Sequence, residues 1–420
     1  MPLLPPRFDY DMKKQGRWRC SRRPRTTGNK MTKRNFSKLD QLLENYVASN
    51  RLSGVLSVIT DRGSILHKNI TGLQDQETGM PMAWDSIFRI YSMTKPITSI
   101  AVMMEWEKKK FDLDDPVSDY LPSFKNSSVL EPNGTIRPAK RQMSVRDLLT
   151  HTSGITLPAF AENHLAPLYL EQNLDGMRSK GNLADIIDRL GSMPLLFDPG
   201  SIWAYSMATD VLGRLVEIWS GLSFEDYLKA NIFTPLGMTE TAFEVPEKDK
   251  ARITTNYSIE DGKLGPVLDK GATSRYLSPP EFISGSGGLA STAEDYLQFM
   301  RMLLKGGEHN SHRIIQKETL GLMTRNHLDG DMEDMGANEF GETPWYGIGF
   351  GLGFSVVMEP GKSGLPSIAH DWGWSGAAGT TFFINPELDM AAMLLTQYMP
   401  SNSYPLRKEY REAVYSAFAD

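Results

Sequence analysis

The chain has almost no cysteine, no long apolar run and no excess of basic charge. Cys20 is the one cysteine among 420 residues, so an intramolecular disulfide is excluded and a thiol mechanism is not expected. No stretch of about 18 apolar residues occurs, and no membrane span is predicted. The formal net charge is -6, which argues against nucleic acid as a partner, because phosphate binding needs a concentrated basic face. None of the seven histidines falls in an H-E-x-x-H pattern, and neither a metal site nor another cofactor is predicted. Gly361-Lys362-Ser363 lacks the upstream glycine of a phosphate loop.

Residues 1–30 stand apart. They hold Arg17, Arg19, Arg22, Arg23 and Arg25, with Pro2, Pro5 and Pro6 at the front. They lack the apolar stretch of about 7–15 residues that a secretory signal carries. Such a segment is expected to be a disordered, solvated basic tail, either a leader or sequence upstream of a start at Met31. Lack of a signal and of disulfides both point to the cytoplasm.

Helical and extended patterns then alternate along the chain. Leu39, Leu42, Leu43 and Val47 recur at helical spacing over 36–49. Two β-rich runs, 54–59 and 64–70, flank Asp61-Arg62-Gly63 and predict a hairpin. From Ser92 to about Lys109, Ile97, Ile100, Ala101 and Met104 form another apolar stripe. The middle reads as helix and loop, with helices at 145–149, 182–190, 207–219, 223–231 and 292–304. Beyond it come β runs at 345–357, 380–384 and 390–396, then a closing helix over 405–418. The expected fold is therefore α+β. Segments 31–110 and 326–420 supply an antiparallel sheet flanked by helices, and 111–325 forms a large, mostly helical inserted lobe. A cleft between such parts suits a small molecule.

Ser92 and Lys95 carry the first chemical signal. Residues three apart share a helix face, and Pro96 is tolerated only near a first turn. Ser92 is thus placed at a helix N-terminus, where backbone N–H groups favour developing negative charge. A serine hydroxyl needs a neighbouring base, and a lysine serves when burial keeps it neutral. S-x-x-K alone arises by chance in most chains of this length, and its plain reading is a helix cap beside a solvated lysine. Two further segments change that. Tyr205, in Pro199-Gly200-Ser201-Ile202-Trp203-Ala204-Tyr205-Ser206-Met207, can relay a proton. Trp374-Ser375-Gly376-Ala377 precedes a β run whose backbone N–H can complete an oxyanion hole. Singly, these would pass for a core tyrosine and a small-residue bend.

In this order and spacing the motifs resemble the serine β-lactamase/penicillin-binding-protein superfamily, and within it the family VIII carboxylesterase branch. The resemblance runs from about Leu52 to the C-terminus. It also takes in Asp147-Leu148-Leu149-Thr150-His151-Thr152-Ser153-Gly154-Ile155 and Ser286-Gly287-Gly288-Leu289-Ala290-Ser291-Thr292. It implies a β-lactamase-like fold, Ser92 as acylated nucleophile, and Lys95 with Tyr205 as the acid/base pair. The backbone N–H groups of Ser92 and Ala377 would form the oxyanion hole. Trp374, Ser375, Gly376 and Met207 would line the substrate, a small-molecule ester. His151 is expected to have a structural hydrogen-bonding role, and Ser286 to sit in a flexible loop beside the cleft.

Two departures sharpen the substrate. Met207 stands where β-lactamases usually have asparagine, and Trp374-Ser375-Gly376 replaces their Lys-Thr-Gly. The missing lysine removes a cation for a penicillin carboxylate, so short to medium acyl esters are expected, with at most weak β-lactam hydrolysis. The alternatives are a β-lactamase, a D-amino-acid peptidase or amidase, an acyltransferase, or more remotely a non-catalytic ligand-binding homologue. Gly373-Trp374-Ser375-Gly376-Ala377 misses the last glycine of the commoner G-x-S-x-G esterase signature. If Lys95 must be neutral to accept the proton, activity rises toward alkaline pH. A pH–rate profile flat from neutrality to about pH 10, near the free lysine value, contradicts that assignment.

Overall fold

Strand-forming residues from the two ends of the chain meet in one sheet. The computed structural model describes residues 7–13, 17–23, 34–158, 164–337 and 345–419, with only the backbone for the first two segments. The principal elements are α1 (Ser37–Ala48), β1 (Gly54–Thr60), β2 (Ile65–Asp75), β3 (Met80–Pro81) and α2 (Thr94–Glu107). After them come α3 (Ala208–Ser220), α4 (Ala293–Leu304), β4 (Ile348–Phe350) and β5 (Ser355–Val357). The last are β6 (Trp372–Ser375), β7 (Thr381–Asn385), β8 (Met390–Leu395) and α5 (Leu406–Ser416).

The sheet runs β4-β5-β6-β7-β8-β1-β2-β3, with neighbours antiparallel. Leu395 lies opposite Leu56 where the two halves join. Every residue of β1 is buried, and alternation divides them between two cores. Val55 and Ile59 pack with Leu43 of α1 and Tyr410 and Val414 of α5. Leu56 and Val58 face the larger core, with Ile97 of α2 and Met300 of α4. The α+β, β-lactamase-like architecture expected from the sequence is the one observed.

The middle segment differs from its expectation in two ways. It carries short strands: Asn256–Glu260 pairs with Lys263–Asp269 and with Tyr398–Met399, and Ala290–Thr292 pairs with Ile87–Arg89. Ile87–Arg89 and Ala290–Thr292, three residues each, are too short to show a period. Moreover α4, placed by sequence in the helical lobe, covers the sheet, with the Tyr296 and Phe382 rings 5.3 Å apart. Its stripe of Tyr296, Phe299, Met300 and Leu303 announces a buried face but not which partner buries it. The N-terminal tail also departs from the disordered reading: Arg7–Lys13 and Arg17–Arg23 pair as an antiparallel ladder. Phe8, Tyr10 and Met12 alternate with charged residues there, a period-2 signal that the arginine count obscures. Among the described residues no helix is long and apolar enough to cross a membrane.

A buried carboxylate fastens α5 to the sheet. Asp371 accepts hydrogen bonds from Asn385 Nδ2 at 2.6 Å, Arg411 Nη2 at 2.8 Å and the Tyr415 hydroxyl. Burial pushes its carboxyl pKa up, and Arg411 opposes that. Removing one partner of a buried pair leaves an uncompensated charge. Arg411→Ala is therefore expected to destabilise the fold by about 3 kcal/mol, read as a lower denaturant midpoint at unchanged slope.

Candidate active site

The nucleophile candidate sits on a strained turn. Tyr91 has φ +44°, a left-handed conformation that bulky residues rarely adopt. It opens the 3-10 turn Tyr91–Met93 that leads into α2. Ser92 thus lies just ahead of the helix rather than within it. Lys95, one turn on, is buried with its Nζ 3.5 Å from Ser92 Oγ. That amine donates to the Ser286 carbonyl at 2.8 Å and lies 4.3 Å from the centroid of the Tyr205 ring.

Tyr205 arrives from the other side of the chain. Gly200, at φ +85°, closes the turn before it and donates its N–H to the Thr152 carbonyl at 2.7 Å. Asp198 anchors this turn; its hydrogen bonds with Arg137 hold its carboxyl pKa below the usual range. The Ala204 N–H then bonds the His151 carbonyl at 2.9 Å. The Tyr205 hydroxyl ends 2.5 Å from Ser92 Oγ and donates to it. His151 lies beside this tyrosine, ring centroids 5.1 Å apart, with Nδ1 3.1 Å from Ser206 Oγ. Full burial pushes its pKa well down, so it packs there as a neutral ring.

The third segment reaches the site because Gly376 has no side chain. Its N–H bonds the Thr380 carbonyl at 2.8 Å, closing the β6–β7 turn. A Cβ on Gly376 would stand 2.4 Å from the Ile90 carbonyl oxygen and 2.3 Å from Thr380 Oγ1. Only a bare backbone lets this turn lie against the residue that precedes the nucleophile turn. Ala377 then lines the same space as Ser92 and Tyr205. Ser375 Oγ donates to Thr381 Oγ1 at 2.8 Å, which ties that hydroxyl across the hairpin. Trp374 is buried, its ring 5.9 Å from Tyr205 and 5.2 Å from Phe350.

Two cavities meet at Ser92, Tyr205 and Ala377. One, of about 160 Å³, is walled by Trp345, Ile348, Trp374, Ser375, Gly376 and Phe382. The other, of about 570 Å³, is walled by Tyr91, Lys95, Met177, Met207, Asp269 and Arg275. Each residue expected from sequence to act on or line the substrate therefore borders one or both cavities, whereas His151 borders neither.

Sequence reading misplaced one element and missed another. The loop around Ser286, expected to be flexible, is buried and pinned by Asp210, which lies on the first turn of α3. An acidic residue in a first turn reads as an ordinary complement to the helix dipole. Nothing in its spacing announces partners more than 70 residues away.

Comparison with known proteins places the chain in a family. Residues 39–417 match the family model described as Beta-lactamase. Esterase EstB of Burkholderia gladioli is 31% identical over 90% of this chain and 95% of its own. Acyltransferase calJ of Penicillium decumbens is 27% identical over 87% of this chain and 94% of its own. The solved structure of EstCE1, described as a hydrolase with promiscuous acyltransferase activity, superposes with a TM-score of 0.77. It is 27% identical and covers 90% of this chain and 98% of its own.

The close approach at Gly376 gives a test. Gly376→Ala must displace the β6–β7 turn from Ile90. We expect the rate of Ser92 labelling by a fluorophosphonate to fall about 100-fold, the cost of misplacing reacting groups by about 1 Å, with circular dichroism unchanged. Labelling at the wild-type rate would show that the turn is not part of the site.

Proposed function

The chain belongs to the β-lactamase family, and on that premise we propose that it is a serine esterase working through an acyl-enzyme. The observation that carries the reading is the Tyr205 hydroxyl 2.5 Å from Ser92 Oγ, with Lys95 Nζ 3.5 Å from the same oxygen. Ser92 Oγ attacks the ester carbonyl carbon, and its proton passes to the Lys95–Tyr205 pair. The backbone N–H groups of Ser92 and Ala377 hold the oxyanion of the tetrahedral intermediate. Its collapse breaks the ester C–O bond, and the pair returns a proton to the departing alcohol. Water then attacks the acyl carbon and gives its proton to the same pair, which returns one to Ser92 Oγ as the acid leaves.

The wall chemistry favours a neutral ester with a short to medium acyl chain. Trp374 stands where a carboxylate-binding lysine would be, and the smaller cavity is walled by Trp345, Ile348, Trp374 and Phe382, with Arg407 and Arg411 also on its border. We assign the acyl chain to that cavity and the leaving alcohol to the larger one. A second reading, acyl transfer to an alcohol, draws support from relatives described as an acyltransferase and as a hydrolase with promiscuous acyltransferase activity.

Ser92→Ala is expected to lose fluorophosphonate labelling, and at least about 1,000-fold of p-nitrophenyl butyrate turnover, the scale of losing a nucleophile. Wild-type turnover in that variant overturns the nucleophile. With wild-type protein, p-nitrophenyl esters should outrun nitrocefin and D-alanyl peptides. The reverse order would leave Ser92 standing and sink the esterase reading. Added alcohol that diverts product from acid to a new ester would favour transfer.

A further inference from the structure

Lys95 is gripped by a loop as well as by the nucleophile. Residues 284–289 pass between α2 and α3 and bond to both. On the α2 side, Ser286 O accepts from Lys95 Nζ at 2.8 Å, and Gly285 O accepts from Thr98 Oγ1 at 2.7 Å. On the α3 side stands Asp210, with no solvent exposure. Its Oδ1 accepts the Ser284 hydroxyl at 2.7 Å and the Ser286 N–H at 3.0 Å, and its Oδ2 accepts the Ser286 hydroxyl at 2.8 Å. The passage is tight: a Cβ on Gly285 would lie 2.8 Å from the Thr209 carbonyl oxygen.

We infer that Asp210 is a positioning residue for the proton acceptor Lys95, acting through the Ser286 carbonyl. This rests on the assignment of Ser92 and Lys95 made above. A neutral amine has two N–H bonds and one lone pair. With one N–H committed to Ser286 O, rotation about Cε–Nζ is fixed and the lone pair is left two directions, with Ser92 Oγ 3.5 Å away. The peptide that carries Ser286 O is held by its neighbours' bonds to the Asp210 carboxylate. Without that carboxylate, two hydroxyls and one N–H lose their acceptor, and the carbonyl that orients Lys95 loses its support.

Charge gives the inference a signature beyond packing. Burial raises the Asp210 pKa, and the positive charge on Lys95 lowers it. The attraction is mutual, so losing the Asp210 charge changes the field at the Ser92–Lys95 pair. The other titratable groups around Lys95 are few. Tyr205 lies under the amine, and His151 is buried and neutral behind it. Tyr91, Asp175, Arg178, Asp269 and Arg275 border the wider cavity, and residues 284–289 contain no titratable side chain. Asparagine at 210 keeps an acceptor for Ser284 and for the Ser286 N–H but removes the charge.

The test measures fluorophosphonate labelling of Ser92 and p-nitrophenyl butyrate turnover from pH 6 to 10, with thermal melting alongside, in Asp210→Asn and Asp210→Ala. We expect Asp210→Ala to lower kcat about 100-fold with KM little changed, the scale of a displaced reacting group. Asp210→Asn should recover most of kcat, with its rising pH limb moved to lower pH. If Asp210→Ala does not fold, the limb of Asp210→Asn decides alone: moved, it supports the inference; unmoved, it overturns it. Variants that melt earlier but keep wild-type kcat and pH profile also overturn it. Because labelling needs no ester, a protein that labels yet hydrolyses no ester would sink the esterase reading and still leave Asp210 measurable.

Discussion

A lysine amine held away from water is the constraint on which this site depends. Lys95 is only 3% exposed, and an ammonium or amine in a protein interior costs several kcal/mol unless its N–H groups find acceptors. Besides the neighbouring Ser92 hydroxyl, the acceptors come from distant parts of the chain: the Ser286 carbonyl and the face of the Tyr205 ring. None of them can satisfy the amine alone. The 284–289 loop, the entry to α3 and the nucleophile turn must therefore be in place together, and the sheet serves as the common support. The β6–β7 turn is bound into the same assembly because Gly376 rests on the carbonyl of Ile90, two residues before Ser92.

How much of this was legible in the sequence depends on distance along the chain. Ser92 and Lys95 were readable because three residues make one helical turn. Tyr205 and Trp374-Ser375-Gly376 were readable because each has a distinctive local setting, a Pro-Gly turn or the start of a β run. The sheet followed from β patterns at both ends. Asp210 was not readable: its partners Ser284 and Ser286 are small polar residues more than 70 positions away. The loop around Ser286 misled for the same reason. Glycine and serine suggest mobility, and only the facing carboxylate turns that stretch into a fixed one. α4 shows a third kind of limit, since a helical stripe states that a face is buried without naming what covers it.

The electrostatics of the site follow from one replacement. A cation at the position of Trp374 would stand close to the Tyr205 ring, since the two rings are 5.9 Å apart. It would also favour a phenolate there. An indole supplies no charge, and on the proposed reading that leaves the Ser92–Tyr205 pair to Lys95 and the groups coupled to it. On the inference drawn above, Asp210 then matters more than it would in a site with a second lysine, because its charge is coupled to that of Lys95.

The unequal cavities bear on the fate of the acyl-enzyme. On the proposed reading an acyl chain occupies the smaller, tryptophan-walled space, and the second nucleophile approaches Ser92 through the larger one. Water and an alcohol compete for that approach, and they differ in how much apolar surface they bury on the way. The larger cavity is bordered by Met177, Met207 and Leu157 but also by Asp269 and Arg275. Its apolar side rewards an alcohol with a hydrocarbon body, while its charged side keeps it open to water. On the proposed reading, the balance between hydrolysis and transfer is set by that wall and not by the proton-transfer groups, which treat the O–H of water and of an alcohol alike.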